Sequence, residues 1–110
     1  MSTTAASPTY LMKLKSRQEV AEQTMAFRFE KPASLTFTPG QFIEMTLLDP
    51  PESDTEGNSR VFSIASAPYE DFIMVATRLR DTAFKRVLRS LPLGTEVRVE
   101  GPRSSGASRP

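Results

Sequence analysis

The chain is divided into short runs of alternating apolar and polar residues by closely spaced turn signals, and this pattern limits it to a fold of short strands. Met25–Glu30 is the clearest run, because its apolar residues fall at every second position and would share one face of a strand. Lys31-Pro32 ends that run, and Thr38-Pro39-Gly40 combines the fixed φ of proline with the permissive glycine of a turn. By the same reasoning we predict six strands: Tyr10–Lys15, Met25–Glu30, Gln41–Leu48, a run that starts at Arg60, Phe72–Leu79 and Glu96–Glu100.

One segment late in the chain has a helical period instead. Four apolar residues lie at positions i, i+3, i+4 and i+7, namely Phe84, Val87, Leu88 and Leu91. Asp81 or Thr82 can cap the start of this two-turn helix, and Pro92 ends it. Six strands and one late helix predict an all-β fold, either a small antiparallel barrel or a sandwich.

The residue types that are missing exclude several kinds of chemistry. The 110-residue chain has no cysteine and no histidine, which argues against a thiolate zinc site and against the common hydrolytic triads. Its net charge of +1 gives no overall attraction to nucleic acid or to a membrane. Four carboxylates lie in the polar stretch Asp49–Ser59, but their spacing is not that of a calcium-binding loop. We therefore predict a solvated loop there and no metal site.

The ends of the chain carry no periodic pattern. We predict that residues 1–9 form a disordered arm, that residues 10–102 form one barrel domain, and that residues 103–110 form a disordered tail. Met1–Ser7 lacks the basic flank and apolar core of a leader, and no run of about 18 apolar residues is present. The resulting expectation is a cytoplasmic protein that does not enter a membrane.

The strand that starts at Arg60 carries the first candidate site. Arg60 and Phe62 would share one face of a strand, with Ser63 on the other, so an anion clamp, a flat ring and a hydroxyl lie within four residues. These groups suit a ligand that has a phosphate and a planar heterocycle. Alternatively, Arg60 is a solvated charge at the edge of a sheet and Phe62 is a core residue. Both interpretations stay open.

The start of the predicted helix is a second candidate anion site. The unpaired amides of a first helical turn attract phosphate, and Arg78 and Arg80 directly precede this turn. If the fold places Arg60 beside Thr82, one diphosphate could be held from both sides. The alternative is that the basic residues from Arg78 to Arg89 form only the solvated face of a short helix.

Three segments in order resemble the signatures of a known family. Thr38–Ile43, Arg60–Pro68 and Leu93–Pro102 are similar to motifs of the FAD-binding domain of the ferredoxin:NADP reductase superfamily. The resemblance extends from about Tyr10 to Pro102. It implies a six-stranded antiparallel Greek-key barrel with one short α-helix before the last strand, and it implies FAD as the cofactor.

The family's Arg-x-Tyr-Ser motif falls on residues 60–63. The resemblance implies that Arg60 holds the FAD diphosphate, that Phe62 packs on the flavin or ribityl group, and that Ser63 is catalytic through a hydrogen bond to the flavin near N5. Val61 is the intervening cofactor-binding position. Phenylalanine replaces the family's tyrosine, so stacking is retained and the phenolic hydrogen bond is lost.

Two further cofactor-binding segments follow from the resemblance. The family's next contact strand, which acts largely through its backbone, falls on Val75, Ala76 and Thr77. Its Gly-x-x-Ser diphosphate motif falls on Thr82, Ala83, Phe84 and Lys85. Neither signature residue of that motif is present, so we expect backbone amides, the Thr82 hydroxyl and the Lys85 charge to serve instead.

Members of the family continue into a nucleotide-binding domain, whereas only eight polar residues follow Pro102 here. We expect the chain to be the flavin half of an NAD(P)H-dependent electron-transfer oxidoreductase, as a truncated product, a subunit of a split enzyme or a domain with another use. Expected partners are FAD and a separate NAD(P)-binding domain or an electron-acceptor protein. By itself the chain should not be reduced rapidly by NAD(P)H. The alternatives are a barrel that binds single-stranded nucleic acid and a remnant that binds nothing.

Overall fold

A computed structural model of the chain describes residues 8–78 and 80–104. Most of the predicted arm (residues 1–7), Leu79 and residues 105–110 of the predicted tail lie outside the described residues. The elements are β1 (Thr9–Ala21), β2 (Thr24–Glu30), β3 (Gln41–Leu47), β4 (Ser59–Ser63), β5 (Phe72–Arg78), α1 (Ala83–Ser90) and β6 (Glu96–Ser104).

The six strands form one antiparallel sheet in the order β4-β3-β6-β1-β2-β5. The last strand, β6, returns to lie between β1 and β3, which gives the connections a Greek-key character. The sheet curls into a half-barrel, and its two edge strands are β4 and β5. The prediction of an antiparallel six-stranded barrel with one short helix before the last strand is confirmed.

Strand β1 is much longer than the predicted Tyr10–Lys15 because its two halves have different partners. Its first half pairs with β6, and its second half pairs with β2 up to Ala21. Residues 18–21 are exposed without alternation, so their sequence carries no strand period. Their pairing with β2, rather than burial of one face, makes this half a strand.

Alternation builds the core from the inward faces of the strands. Phe27 and Phe29 of β2 and Ile43 and Met45 of β3 are each fully buried and belong to one hydrophobic cluster. The apolar face of α1 joins this cluster through Phe84, Val87 and Leu88. No helix among the described residues is long and apolar enough to span a membrane.

Strand β6 continues to Ser104, past Glu100, where the sequence predicted its end. Two residues of β6, Gly101 and Pro102, lie opposite Ile43 alone, because the register with β3 shifts there. Gly101 has φ +126°, and a Cβ at this position would approach the carbonyl oxygen of Phe42 to 3.2 Å. Glycine therefore allows the two backbones to approach closely at the bulge.

Candidate functional site

A groove opens between the two edge strands of the half-barrel. At one end the strands are joined, because Ala65 N donates to the carbonyl of Met74 (2.7 Å) and Met74 N donates to Ser66 Oγ (2.9 Å). Beyond this junction β4 and β5 are not paired. They separate around a groove of about 400 Å³ that also reaches the residues before α1.

The structure brings most of the predicted site residues to this groove. Those that line it are Arg60, Val61, Phe62, Ser63, Ala76, Thr77 and Thr82. Three others lie behind its wall and are buried, namely Val75, Ala83 and Phe84. Ser63 and Ala76, which are 13 residues apart in the sequence, thus lie on one surface. Their individual roles toward a cofactor stay predictions.

Arg60 is held firmly at the side of the groove. Its Nη1 donates to the carbonyl oxygens of Ser59 (2.8 Å), Glu56 (3.1 Å) and Gly57 (3.3 Å), and its Nη2 donates to Glu56 Oε1 (2.9 Å). The guanidinium carbon lies 5.0 Å from the centre of the Phe84 ring. The side chain is only 20% exposed, so its position is fixed before any ligand arrives.

Successive side chains of β4 point to opposite faces of the strand, as the sequence predicted. Phe62 is 7% exposed and packs against Phe84 with 6.0 Å between ring centres. It therefore belongs both to the hydrophobic core and to the wall of the groove. Val61 and Ser63 are exposed on the other face of the strand. The core interpretation and the binding interpretation of Phe62 are therefore compatible.

Thr82 caps the helix, as one of the two predicted candidates. Its Oγ1 accepts a hydrogen bond from the amide of Lys85 (3.2 Å). The amide of Ala83 donates to Asp54 Oδ2 (3.0 Å), so two of the first-turn amides already have partners. Hydrogen bonds from the amides of Ala83 and Glu56 hold the pKa of Asp54 below its usual value.

Cations surround the same end of the groove. Arg60, Arg80 and Lys85 all line it, and Lys85 Nζ donates to the carbonyl of Arg78 (2.8 Å). Partial burial, followed by repulsion from Arg80 and Arg60, lowers the pKa of Lys85. Among the described lining residues the single carboxylate is that of Glu56. This arrangement favours an anion with more than one negative charge.

Sequence reasoning did not assign a role to the acidic loop, residues 49–58. In the structure this loop packs against α1 and β4. Arg86 Nη2 donates to Glu52 Oε1 (2.8 Å), which lowers the pKa of Glu52, and Arg86 also contacts Asp81. The density of carboxylates just before Arg60 was the available signal, but it does not identify their partners.

A second groove, of about 540 Å³, lies near the β1–β2 hairpin and is lined by residues that include Arg17, Gln23 and Arg89. It is larger than the groove between β4 and β5. It contains none of the motif residues and no aromatic wall, and it does not reach the start of α1. We therefore place the functional site at the smaller groove.

The smaller groove has the chemistry that FAD needs. A cluster of three cations beside a capped helix start suits a diphosphate. Edge strands present unpaired backbone donors and acceptors, which suit the polar edge of a flavin ring. The donors present therefore fit this cofactor.

Comparison with known proteins gives a family match that extends over nearly the whole chain. The profile of the family described as "Oxidoreductase FAD-binding domain" matches residues 11–106, nearly the whole chain. This match includes every predicted site residue. No curated protein matches the chain.

Similar folds occur in solved reductase structures. A ferredoxin NADP+ reductase from Neisseria gonorrhoeae with bound FAD and NADP is 19% identical with a TM-score of 0.69, and the match covers 84% of this chain and 36% of that one. The cytochrome b5 reductase domain of Ulva prolifera nitrate reductase is 18% identical with a TM-score of 0.65, over 87% and 41% of the two chains. The ferredoxin reductase in carbazole 1,9a-dioxygenase is 16% identical with a TM-score of 0.75, over 89% and 29%. At these identities the likeness concerns the fold, and this chain spans less than half of each match.

Proposed function

The chain belongs to the oxidoreductase FAD-binding domain family, and we propose that it binds FAD in the groove between β4 and β5. The observation that carries this proposal is Arg60. The arginine is pre-positioned, mostly buried and beside two further cations, at the end of a groove that the motif residues line. A ligand with a diphosphate at one end and a flat polar ring at the other matches a groove with cations at one end and motif residues along its length.

In this proposal the diphosphate is bound at the basic end of the groove. Arg60 supplies a planar guanidinium fork, and Lys85 supplies a second charge from the first turn of α1. Thr82 contributes its hydroxyl or backbone, in place of the family's Gly-x-x-Ser residues. Ala83 and Phe84 contribute through the helix backbone and through the ring that supports Arg60.

The other end of the groove would hold the flavin ring. Ser63 is exposed at the end of β4, and its hydroxyl can donate a hydrogen bond to the ring. Ala76 and Thr77 would contact the ring through the edge of β5, with Val75 fixing that strand in the core. Phe62 and Val61 would supply apolar contact. When bound, FAD supplies the redox chemistry, and these residues orient it and adjust its electrostatic environment.

The activity of a complete protein that contains this domain is a further proposal. We infer electron transfer between NAD(P)H and an acceptor through FAD. One similar structure is a reductase described as a modular structure for electron transfer from pyridine nucleotides to [2Fe-2S], and this chain covers 30% of it. A pyridine-nucleotide domain and an electron-acceptor protein are the partners that this activity requires.

Titration of the purified chain with FAD tests the proposed function. We expect a saturable change in flavin absorbance or fluorescence at one FAD per chain. A chain that leaves the flavin spectrum unchanged at high protein concentration would show that the groove does not bind this cofactor.

Binding of single-stranded nucleic acid is not favoured. Such binding depends on exposed aromatic residues on which successive bases stack. Among residues 8–78 and 80–104 the one strongly exposed aromatic is Tyr69, while Phe62 and Phe84 beside the basic residues are buried. Salt-dependent binding of an oligonucleotide, in the absence of flavin binding, would reverse this preference.

A further inference from the structure

Two donors at the basic end of the groove, the Arg60 guanidinium and the Ala83 amide just behind the wall, are each paired with a carboxylate of the acidic loop. Glu56 Oε1 accepts a hydrogen bond from the Arg60 guanidinium at 2.9 Å. Asp54 Oδ2 accepts a hydrogen bond from the Ala83 amide, at the start of α1, at 3.0 Å. Both donors are among the groups proposed above for the diphosphate, together with Thr82 and Lys85.

The two carboxylates form one unit. The second oxygen of Asp54 accepts a hydrogen bond from the Glu56 amide at 2.9 Å, and the Gly57 amide donates to the Asp54 carbonyl at 3.0 Å. Gly57 has φ +85°, which closes this turn at little cost for glycine. The turn therefore presents two negative charges, two residues apart, to the same pair of donors.

We infer that Asp54 and Glu56 are a built-in competitor for the cofactor's diphosphate and thereby set the affinity for FAD. This inference rests on the proposed function. A diphosphate that takes over the Nη2 bond of Arg60 to Glu56 and the Ala83 amide bond to Asp54 displaces both carboxylates. Binding then exchanges one set of charge-assisted hydrogen bonds for another, so the phosphates contribute less net affinity than they would in an unoccupied groove.

This exchange predicts a specific order among flavins. FAD must displace both carboxylates, FMN with one phosphate need displace only one, and riboflavin need displace neither. Neutralising the carboxylates should therefore strengthen FAD binding most, FMN binding less and riboflavin binding least. A general loosening of the fold would not produce this order, since it would affect all three ligands alike.

The test uses Asp54→Asn, Glu56→Gln and the double variant, each titrated with FAD, FMN and riboflavin. Removal of an exposed ion pair or a helix-capping contact has a modest effect, so we expect FAD affinity to rise about threefold for each change and about tenfold for the pair. Asp49→Asn is the matched control. Asp49 is in the same loop, is exposed and has φ +49°, which asparagine tolerates, and it contacts neither donor. Its affinities should equal those of the parent.

Thermal unfolding gives a second measurement. Without flavin the double variant should melt at a lower temperature than the parent, because neutral amide oxygens accept weaker hydrogen bonds than carboxylates and form no ion pair with Arg60. With saturating FAD this deficit should shrink or disappear, because the carboxylates are displaced in the complex.

Three outcomes are distinguishable. A tighter FAD complex in the double variant than in the parent, with little change for riboflavin, supports the inference. If the parent binds FAD and the double variant binds it equally or more weakly, the inference is overturned while the proposed function stands. If neither protein binds any flavin, the proposed function and the inference are both overturned.

Discussion

Replacement of Arg60 by alanine should weaken FAD binding by about 2 kcal/mol, close to 30-fold in Kd. The side chain is 20% exposed, so its hydrogen bonds to a diphosphate would form in a partly desolvated place and be worth about 3 kcal/mol. In the unliganded chain the same guanidinium pairs with Glu56, which is 63% exposed. Such exposed pairs contribute at most about 1 kcal/mol. The difference between these two states is the expected loss.

A matched substitution separates binding from stability. Arg60 also lies over the Phe84 ring, so Arg60→Ala should lower the melting temperature as well. Arg28 makes the same kind of contact with Phe72, at 5.4 Å from the ring centre, on β2 and away from the groove. Arg28→Ala removes the same kind of cation–ring contact and should leave FAD affinity unchanged.

Isothermal titration or flavin fluorescence measures both variants, with circular dichroism to verify folding. Parental FAD affinity in a folded Arg60→Ala protein would refute the assignment of Arg60 to the diphosphate. Equal loss of affinity in both arginine variants would attribute the effect to stability.

Three further predictions concern other parts of the molecule. Ser63→Ala should shift the flavin midpoint potential by about 20 mV, the equivalent of a hydrogen bond of about 1 kcal/mol, and change FAD affinity less; an unchanged potential in spectroelectrochemistry would contradict the role of Ser63. FAD affinity should fall as pH rises through the pKa of Lys85, which is lowered from 10.5 in the unliganded chain, because an anion binds the charged amine; titrations of Lys85→Met should lack this fall. Phe27→Ala, at a fully buried position, should lower the free energy of unfolding by about 3–5 kcal/mol in urea denaturation, and a loss under 1 kcal/mol would argue against the packed core.

Local signals were sufficient for most of the fold. The helical period of the residues from Phe84 onward and the hydroxyl of Thr82 identify α1 and its cap, because both depend on neighbours within one turn. The alternation in β2 identifies its buried face for the same reason. The sequence could not reveal the second half of β1, whose residues are exposed and are strand only through pairing with β2.

Long-range pairing also explains the extent of β6. Proline usually ends a strand, but Gly101-Pro102 forms a bulge, and β6 continues to pair Ser104 with Gln41. The sequence shows the proline, but it does not show that β3 pairs with the residues after it.

The site was predictable to the extent that it follows a motif. The Arg60–Ser63 segment lies at the groove because one strand carries it as a unit. The partners of Asp54 and Glu52 lie 29 and 34 positions away on α1, and no spacing in the sequence specifies them. The sequence therefore indicated a place for the cofactor but not the loop that occupies its donors.

Amide chemical-shift mapping during an FAD titration tests most directly the claim that FAD binds between β4 and β5. If FAD binds there, we expect saturable shifts, at one FAD per chain, concentrated in the amides of Arg60–Ser63, Ala76, Thr77 and Thr82–Lys85. An absence of shifts at saturating FAD, or shifts confined to the larger groove beside the β1–β2 hairpin, would contradict it.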